Sequence, residues 1–249
     1  MANSLGKLTK HKFLMMSNDL VSSLPRTQKM NKESFLSFLK QYGHIVVKPS
    51  SGSGGAGVIL ITSLGNGNYD VHYGRNKKTI YGIQPTYSFV QGKVKGLYIV
   101  QQGIKLAKIN GRRFDLRVMV QRNRMSRWTV TGILAKIAGS GYFITNIVES
   151  KGRAIPLHTA IQESNISGAS IKDLEKQINQ LALKVVYRLQ KHYPIHTVGI
   201  DMGIDSQGKV WIIEANFNPD KSYFLRLKDK TMYRRIMSLY NLRKEHSRI

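Results

Sequence analysis

The stretch Val46-Val-Lys-Pro-Ser-Ser-Gly-Ser-Gly-Gly-Ala-Gly57, running directly into Val58-Ile-Leu-Ile-Thr62, narrows the fold more than any other segment. Gly52-x-Gly54-x-x-Gly57 formally matches the dinucleotide fingerprint. That fingerprint opens a helix, whereas this loop opens a β-branched run that reads as a strand. A Walker A loop fails as well, because no Lys-Ser or Lys-Thr follows Gly57; Lys48 instead precedes the glycines. Small residues between two strands make a hairpin tip whose backbone amides can close over phosphates, since no Cβ obstructs the approach. Lys48 at the end of its strand can place a point charge on such phosphates. A flexible surface hairpin with an exposed lysine accounts for the segment equally well.

Working outward, residues 31–41 (NKESFLSFLKQ) predict a short helix capped by Asn31, with Phe35, Leu36 and Leu39 on one face and Gly43 as its stop. Strands are expected at His44–Lys48, Val58–Thr62 and Tyr69–Tyr73, the last after the turn-like Gly65-Asn-Gly67. Further strands are expected at Leu97–Gln101, Phe114–Gln121 and Trp128–Ile137. Ile171, Leu174, Ile178, Leu181, Val185 and Leu189 recur at helical spacing, which predicts a long amphipathic helix from Ser170, its cap, to His192. Strands Val198–Ile204 and Lys209–Glu214 follow, joined by the turn sequence Asp205-Ser-Gln-Gly208. The segment Lys221–Tyr240 is apolar on one side and reads as helical. Strands in runs, broken by a few helices, indicate an α+β fold and not a wound parallel sheet.

Two more segments carry chemistry. If the strands around Asp201 and Glu214 pair as a hairpin, the two carboxylates lie on neighbouring strands, and Asn216 faces the same side as Glu214. Three oxygen donors without thiolate or imidazole suit hard Mg²⁺. The alternative is a salt bridge to one of the many Lys and Arg residues. In Phe114-Asp-Leu-Arg-Val118, Asp115 and Arg117 share one strand face, and the guanidinium fork suits phosphate or carboxylate. By itself this segment favours a structural Asp115–Arg117 pair within the strand.

Composition limits the remaining classes. The 249 residues hold 41% hydrophobic and 21% charged side chains, ordinary for a globular protein with a sizeable core. No apolar run approaches the roughly 20 residues needed to span a bilayer, and no secretory leader is visible, so a cytoplasmic setting is expected. With no cysteine, disulfides, thiolate chemistry and Cys-ligated zinc are excluded. The seven histidines are scattered and form no persuasive catalytic set with Ser and Asp. The anomaly is charge: 39 Lys+Arg against 14 Asp+Glu give +25, with local clusters at Arg75–Lys78, Arg122–Arg124 and Arg243–Lys244. Such a field attracts polyanions, though a solvated surface plus a phosphate site would explain it too.

Taken in order, Leu24-Pro-Arg-Thr27, Val47-Lys-Pro49, the glycine loop, Tyr98-Ile-Val-Gln-Gln-Gly-Ile104, Phe114-Asp-Leu-Arg117, Asn146, Asp201 and Glu214-x-Asn216 resemble the ATP-grasp superfamily, and within it the YheC/YheD group of spore-coat-associated proteins. The resemblance covers about residues 20–225 and lies in the ordered set, not in any single motif. It implies two α+β lobes with a nucleotide cleft between them: a small lobe at 21–102 and a large lobe at 103–240, flanked by an extension (1–20) and a basic tail (241–249). It further implies ATP and one or two Mg²⁺ (or Mn²⁺) as cofactors. Lys48 would contact phosphates, with Gly52, Ser53, Gly54, Gly55 and Gly57 as the loop over them. Gln101, Gln102, Gly103 and Ile104 would form the hinge reading adenine. Lys136 would be a further phosphate contact, and Asp201, Glu214 and Asn216 would hold metal. Arg117, helped by Asn146, would steady the transferring group.

The activity so implied is a carboxylate–amine ligase working through an acyl phosphate, with a spore-associated location as one implication of the resemblance. Two departures stand out. Only residues 1–20 precede the ATP-binding core, so the usual N-terminal Rossmann-like domain is expected to be absent. Gln102 also stands where relatives commonly have an acid. The charge points to an acidic peptide or protein as substrate. The alternatives are a catalytically idle ATP-binding scaffold or coat protein, and a polyanion-binding protein. The last is not favoured, because no nucleic-acid-binding signature is visible.

Overall fold

A computed structural model of the chain describes residues 6–52, 54–123 and 127–245, the last three as backbone only. In chain order the elements are α1 (Lys7–Met15), α2 (Asn18–Val21), β1 (Thr27–Lys29), α3 (Lys32–Tyr42), β2 (His44–Pro49), β3 (Ile59–Gly65), β4 (Asn68–Tyr73), β5 (Asn76–Tyr81), α4 (Ile83–Gln91) and β6 (Tyr98–Gln102). The second half continues with β7 (Lys108–Ile109), β8 (Arg112–Gln121), β9 (Thr129–Ile137), α5 (Ile147–Ser150), β10 (Arg153–Pro156), α6 (Leu157–Gln162), α7 (Ile171–Leu189), β11 (Thr197–Ile204) and β12 (Val210–Asn216). A 3-10 turn (Ser222–Arg226) and α8 (Thr231–Glu245) close it. Among the described residues every strand pairing is antiparallel, in line with the α+β reading.

Local signals explain the elements that sequence predicted. Asn31 Oδ1 accepts the Ser34 N–H at 2.7 Å while Ser34 Oγ accepts the Asn31 N–H at 3.0 Å, a reciprocal cap at the start of α3. Gly43 then ends α3 in the left-handed region at φ 61°, where a side chain would be strained. Ser170 caps α7 by accepting the Asp173 N–H at 3.1 Å.

The first sheet has strand order β1-β6-β2-β3-β4-β5. Phe35, Phe38 and Leu39 of α3 and Val90 of α4 pack on its Ile45, Val47, Ile59, Ile61, Val71 and Val100. The second has order β10-β9-β8-β11-β12, with the short β7 beside β8. One of its faces takes Leu174, Ile178, Val185 and Leu189 of α7, together with Leu14 of α1 and Leu20 of α2. Part of its other face takes Phe224, Leu227 and Ile236 from the C-terminal segment, against Met119 and Leu134. That cover is partial, and the uncovered part holds the charged residues described next.

Candidate functional site

Alternation along β8 sends Phe114, Leu116, Val118 and Val120 into the core with α7. Asp115 and Arg117 therefore emerge on the opposite face. On β11, Val198, Ile200, Met202 and Ile204 take the same core, leaving Gly199, Asp201 and Gly203 on the charged face. The glycines there are steric necessities: a Cβ would lie 2.5 Å from Pro219 Cβ at Gly199 and 2.3 Å from Leu106 Cδ2 at Gly203.

β12 departs from simple alternation. Val210 and Ile212 face the core, so strict period two would bury Glu214 and Asn216 as well. The pairing register shifts between Asp201/Met202: Met202 pairs Ile212 while Asp201 pairs Glu214. This bulge adds one residue, returns Ala215 to the core, and turns Glu214 and Asn216 to the side of Asp201.

Register then builds an ion network across three strands. Asp201 lies opposite Arg117, and Asp115 opposite Lys136 of β9. Arg117 donates Nε to Asp201 Oδ1 at 3.1 Å and Nη2 to Oδ2 at 3.2 Å. Lys136 Nζ donates to the same Oδ1 at 2.8 Å and sits 3.2 Å from Asp115 Oδ1. The partners are thus cross-strand, and Arg117 is bridged to Asp201 and not to Asp115 on its own strand. Burial works against the Asp201 charge, but Arg117 and Lys136 outweigh it and hold the carboxyl far below the usual range. Asp115 goes the other way. Burial, opposed by Lys136 and reinforced by the Asp201 charge, pushes it up to about 6.

A cavity of about 390 Å³ opens over this network, walled by both sheets. Lys48 reaches it from β2, Gly54 and Gly55 from the glycine loop, and Gln101, Gln102 and Ile104 from β6 and the segment beyond it. Arg117, Lys136, Asn146, Asp201, Glu214 and Asn216 also line it, with Asp115 and Arg113. Lys48 Nζ donates to Gln101 Oε1 at 2.8 Å, and Gln101 Nε2 donates in turn to Thr27 Oγ1 at 2.8 Å. Gln102 accepts the Arg26 N–H on Oε1 at 3.3 Å, while Gly103 donates its N–H to His44 O at 2.8 Å. Asn146 Oδ1 caps α5 by accepting the Val148 and Glu149 N–H groups at 3.0 and 2.9 Å. Gly52 and Gly57 flank the loop without lining the cavity, and Ser53 lies outside the described residues.

The two-sheet frame agrees with known proteins. The family described as YheC/D like ATP-grasp matches residues 2–241. This chain belongs to the YheC/D-like ATP-grasp family. It is 30% identical over 191 residues to the endospore coat-associated protein YheD of Bacillus subtilis (strain 168), covering 74% of the present chain and 41% of YheD. With YheC of the same organism it shares 26% identity over 210 residues, 82% of the chain and 57% of YheC. The chain thus spans about half the length of these relatives.

Among solved structures, it superposes on the ADP complex of purK, an N5-carboxyaminoimidazole ribonucleotide synthetase, with TM-score 0.59 and 12% identity, covering 95% of the chain and 52% of purK. It also superposes on the ATP-grasp ligase PsnB complexed with minimal precursor, Mg and ADP, with TM-score 0.54 and 12% identity, over 98% of the chain and 60% of PsnB. At such identity the likeness concerns the fold, which is ATP-grasp.

The residues present fit the groups an ATP-grasp site takes. Lys48 is 6% exposed, and among the described residues no carboxylate lies within ion-pair distance of its ammonium, whose acceptor is the neutral Gln101 amide. Burial lowers its pKa, with Glu214 partly opposing that, and an anion in the cavity would oppose the shift further. Among the described residues no three His, Cys, Asp or Glu side chains converge as a metal cage. Glu214, Asn216 and Asp201 instead offer a partial oxygen set of the kind Mg²⁺ completes with phosphate oxygens and water.

Sequence reasoning missed several contributors, two of which bear directly on the named residues. Tyr223, in the 3-10 turn, accepts from Asn146 Nδ2 at 3.2 Å and sets its ring 5.5 Å from the Arg117 guanidinium. No pattern marked it, because its role depends on how the C-terminal segment folds back. The other is α1, in the segment read only as an extension, whose Lys7 comes within 3.6 Å of Glu214. Its apolar positions are too few for helical periodicity to show.

Proposed function

We propose that this chain is an ATP-dependent carboxylate–amine ligase acting through an acyl phosphate. One observation carries the reading: Lys48, Arg117 and Lys136 open onto the same cavity as Glu214 and Asn216. Three cations and an oxygen-donor set at one end of a cleft suit a polyphosphate with its metal. In the reaction, a carboxylate oxygen attacks the γ-phosphorus and ADP leaves. An amine then attacks the acyl carbon, phosphate leaves, and the nitrogen loses its proton to solvent. Lys48 offsets phosphate charge. Arg117, with two of its five N–H donors directed at Asp201, has further donors to orient the transferring phosphoryl group. Glu214, Asn216 and Asp201 would hold Mg²⁺ or Mn²⁺, which supplies charge neutralisation at the phosphoryl oxygens. The hinge after β6, Gln101 to Ile104, would meet adenine.

The substrate class proposed is an acidic peptide or protein, drawn by the +25 charge. PsnB, which has been solved with a precursor peptide bound, gives a peptide substrate a parallel in this fold. A second reading, a nucleotide-binding coat component without turnover, is supported by the Asp201 carboxylate being engaged by two cations and by the coat association of YheC and YheD.

The test is ADP formation from Mg·ATP in the presence of glutamate-rich peptides and amine donors, with mass spectrometry of the peptide. Acceptor-dependent ADP together with a peptide mass gain equal to the amine minus water supports the ligase. Intact Mg·nucleotide binding with no turnover on any pair favours the second reading. Absence of nucleotide binding ends both.

A further inference from the structure

The amino-terminal helix α1 does more than cover the second sheet. It lies across the cleft's edge and touches both halves of the candidate site. The Lys7 N–H donates to Ser50 O at 2.8 Å, and Lys7 Nζ donates to Gly52 O at 2.5 Å, so the residue holds the root of the glycine loop twice. The same ammonium is 3.6 Å from Glu214 Oε1 on β12, with the Lys7 side chain 13% and Glu214 23% exposed. One turn along, Lys10 Nζ donates to Ala215 O, the backbone between Glu214 and Asn216. Lys7 and Lys10 lie near enough to Lys48 that their charges add to the burial that lowers its pKa. Three ammonium groups therefore gather around Glu214: Lys48 from the cavity, and Lys7 and Lys10, from a helix outside both sheets, from a smaller adjoining pocket that shares Glu214 with it.

Glu214 cannot serve Lys7 and a divalent cation equally. A metal with its full charge at the carboxylate displaces a lysine 3.6 Å away, and the released ammonium remains tethered to the loop that would cover the phosphates. We infer that Lys7 is a phosphate-binding residue of this site that exchanges partners: it neutralises Glu214 while the cleft is empty and passes to the nucleotide's phosphates when metal takes Glu214. In the first state it competes with free metal. In the second it strengthens binding of the polyphosphate. This inference rests on the nucleotide-binding reading above.

The exchange predicts effects of opposite sign in one variant, which loss of a merely structural lysine would not give. Lys7→Gln retains a hydrogen-bond donor for Gly52 while removing the charge; Lys7→Arg restores it. Binding is measured calorimetrically for Mg·ADP and for adenosine, and Mn²⁺ binding without nucleotide is followed by electron paramagnetic resonance. Lys7→Gln is expected to weaken Mg·ADP roughly tenfold, leave adenosine within about twofold, and tighten Mn²⁺ by several-fold, with Lys7→Arg close to the parent. Equal weakening of Mg·ADP and adenosine, or unchanged Mg·ADP, overturns the inference while the nucleotide reading stands. Weaker Mn²⁺ binding in Lys7→Gln also overturns it. A parent protein that binds no Mg·ADP ends the nucleotide reading itself, and the inference with it. Circular dichroism and melting of both variants separate a folding defect from a binding one. If Lys7→Gln does not fold, Lys7→Met replaces it in the same three measurements, and the same outcomes decide.

Discussion

Arg117 grips Asp201 across neighbouring strands through two parallel hydrogen bonds, Nε to Oδ1 at 3.1 Å and Nη2 to Oδ2 at 3.2 Å, while Lys136 holds Oδ1 from a third strand. Both cations are almost wholly buried, at 6% and 4% exposure. Asp201→Asn keeps the shape but leaves Asp115 as the acid nearest to the pair. Removing one member of a buried ion network strands the others, so a loss of about 3 kcal/mol is expected in urea unfolding of the metal-free protein. A loss under about 1 kcal/mol, the size typical of surface pairs, contradicts this account of the network.

Asn216 gives a cleaner probe of the proposed site. Among the described residues its Oδ1 accepts only the Asn218 N–H, at 3.0 Å, so Asn216→Ala disturbs little. The parent is expected to gain roughly 5–10 °C in Tm with saturating Mg·ADP. The variant is expected to melt near the parent without ligand and to lose most of that gain. An undiminished shift in the variant removes Asn216 from the site.

Sequence showed the frame well and the site in part. The caps Asn31 and Ser170 and the stop at Gly43 are local devices, so their residues announce them. The Asp201–Glu214 pairing was legible because a short turn joins two β-branched runs. What was not legible depends on tertiary choice. The bulge at Asp201/Met202 decides that Glu214 faces the cavity, yet Ile212-Ile213-Glu214 reads as ordinary alternation whichever register is taken. The choice of Asp201 over Asp115 as the Arg117 partner follows from strand order, which no single strand encodes. β5 escaped notice because an edge strand with Lys77 and Lys78 exposed buries no apolar row.

Gly103 is a test of the connection between the two sheets. It leaves the end of β6 with its N–H donated to His44 O, and an added Cβ would sit 2.3 Å from His44 Cδ2 and 2.7 Å from the His44 carbonyl oxygen. The carbonyl belongs to a strand and cannot turn away. Gly103→Ala is expected to lower stability by about 2–4 kcal/mol, seen as an earlier urea midpoint with an unchanged slope. Gly54→Ala is the control for backbone strain alone. Its φ is +86° but no described residue lies within 4 Å of the added Cβ, so about 1 kcal/mol is expected there.

The pH dependence of stability should carry the signature of His44. Burial, with Arg113 and Lys105 adding to it, lowers its pKa from 6.5 to about 4, and its Nε2 is buried without a hydrogen-bond partner among the described residues. The unfolded chain takes up this proton near pH 6.5, and the folded chain only near 4. Stability from the neutral ring is therefore fully present above pH 6.5 and is lost as pH falls toward 4. His11, lowered to about 4 by burial and by Lys48 and Arg26, acts in the same direction. Asp115 acts in the opposite one, since its folded pKa of about 6 exceeds 3.8 and its protonation between those values favours the folded state. Because these contributions overlap, the His44 share is read from a difference: the parent minus His44→Gln, by urea unfolding at pH 7 and pH 4. The parent is expected to lose about 2 kcal/mol more than the variant over that interval. Equal losses in the two proteins would show that His44 titrates alike folded and unfolded, and that the cations around it do not suppress its charge.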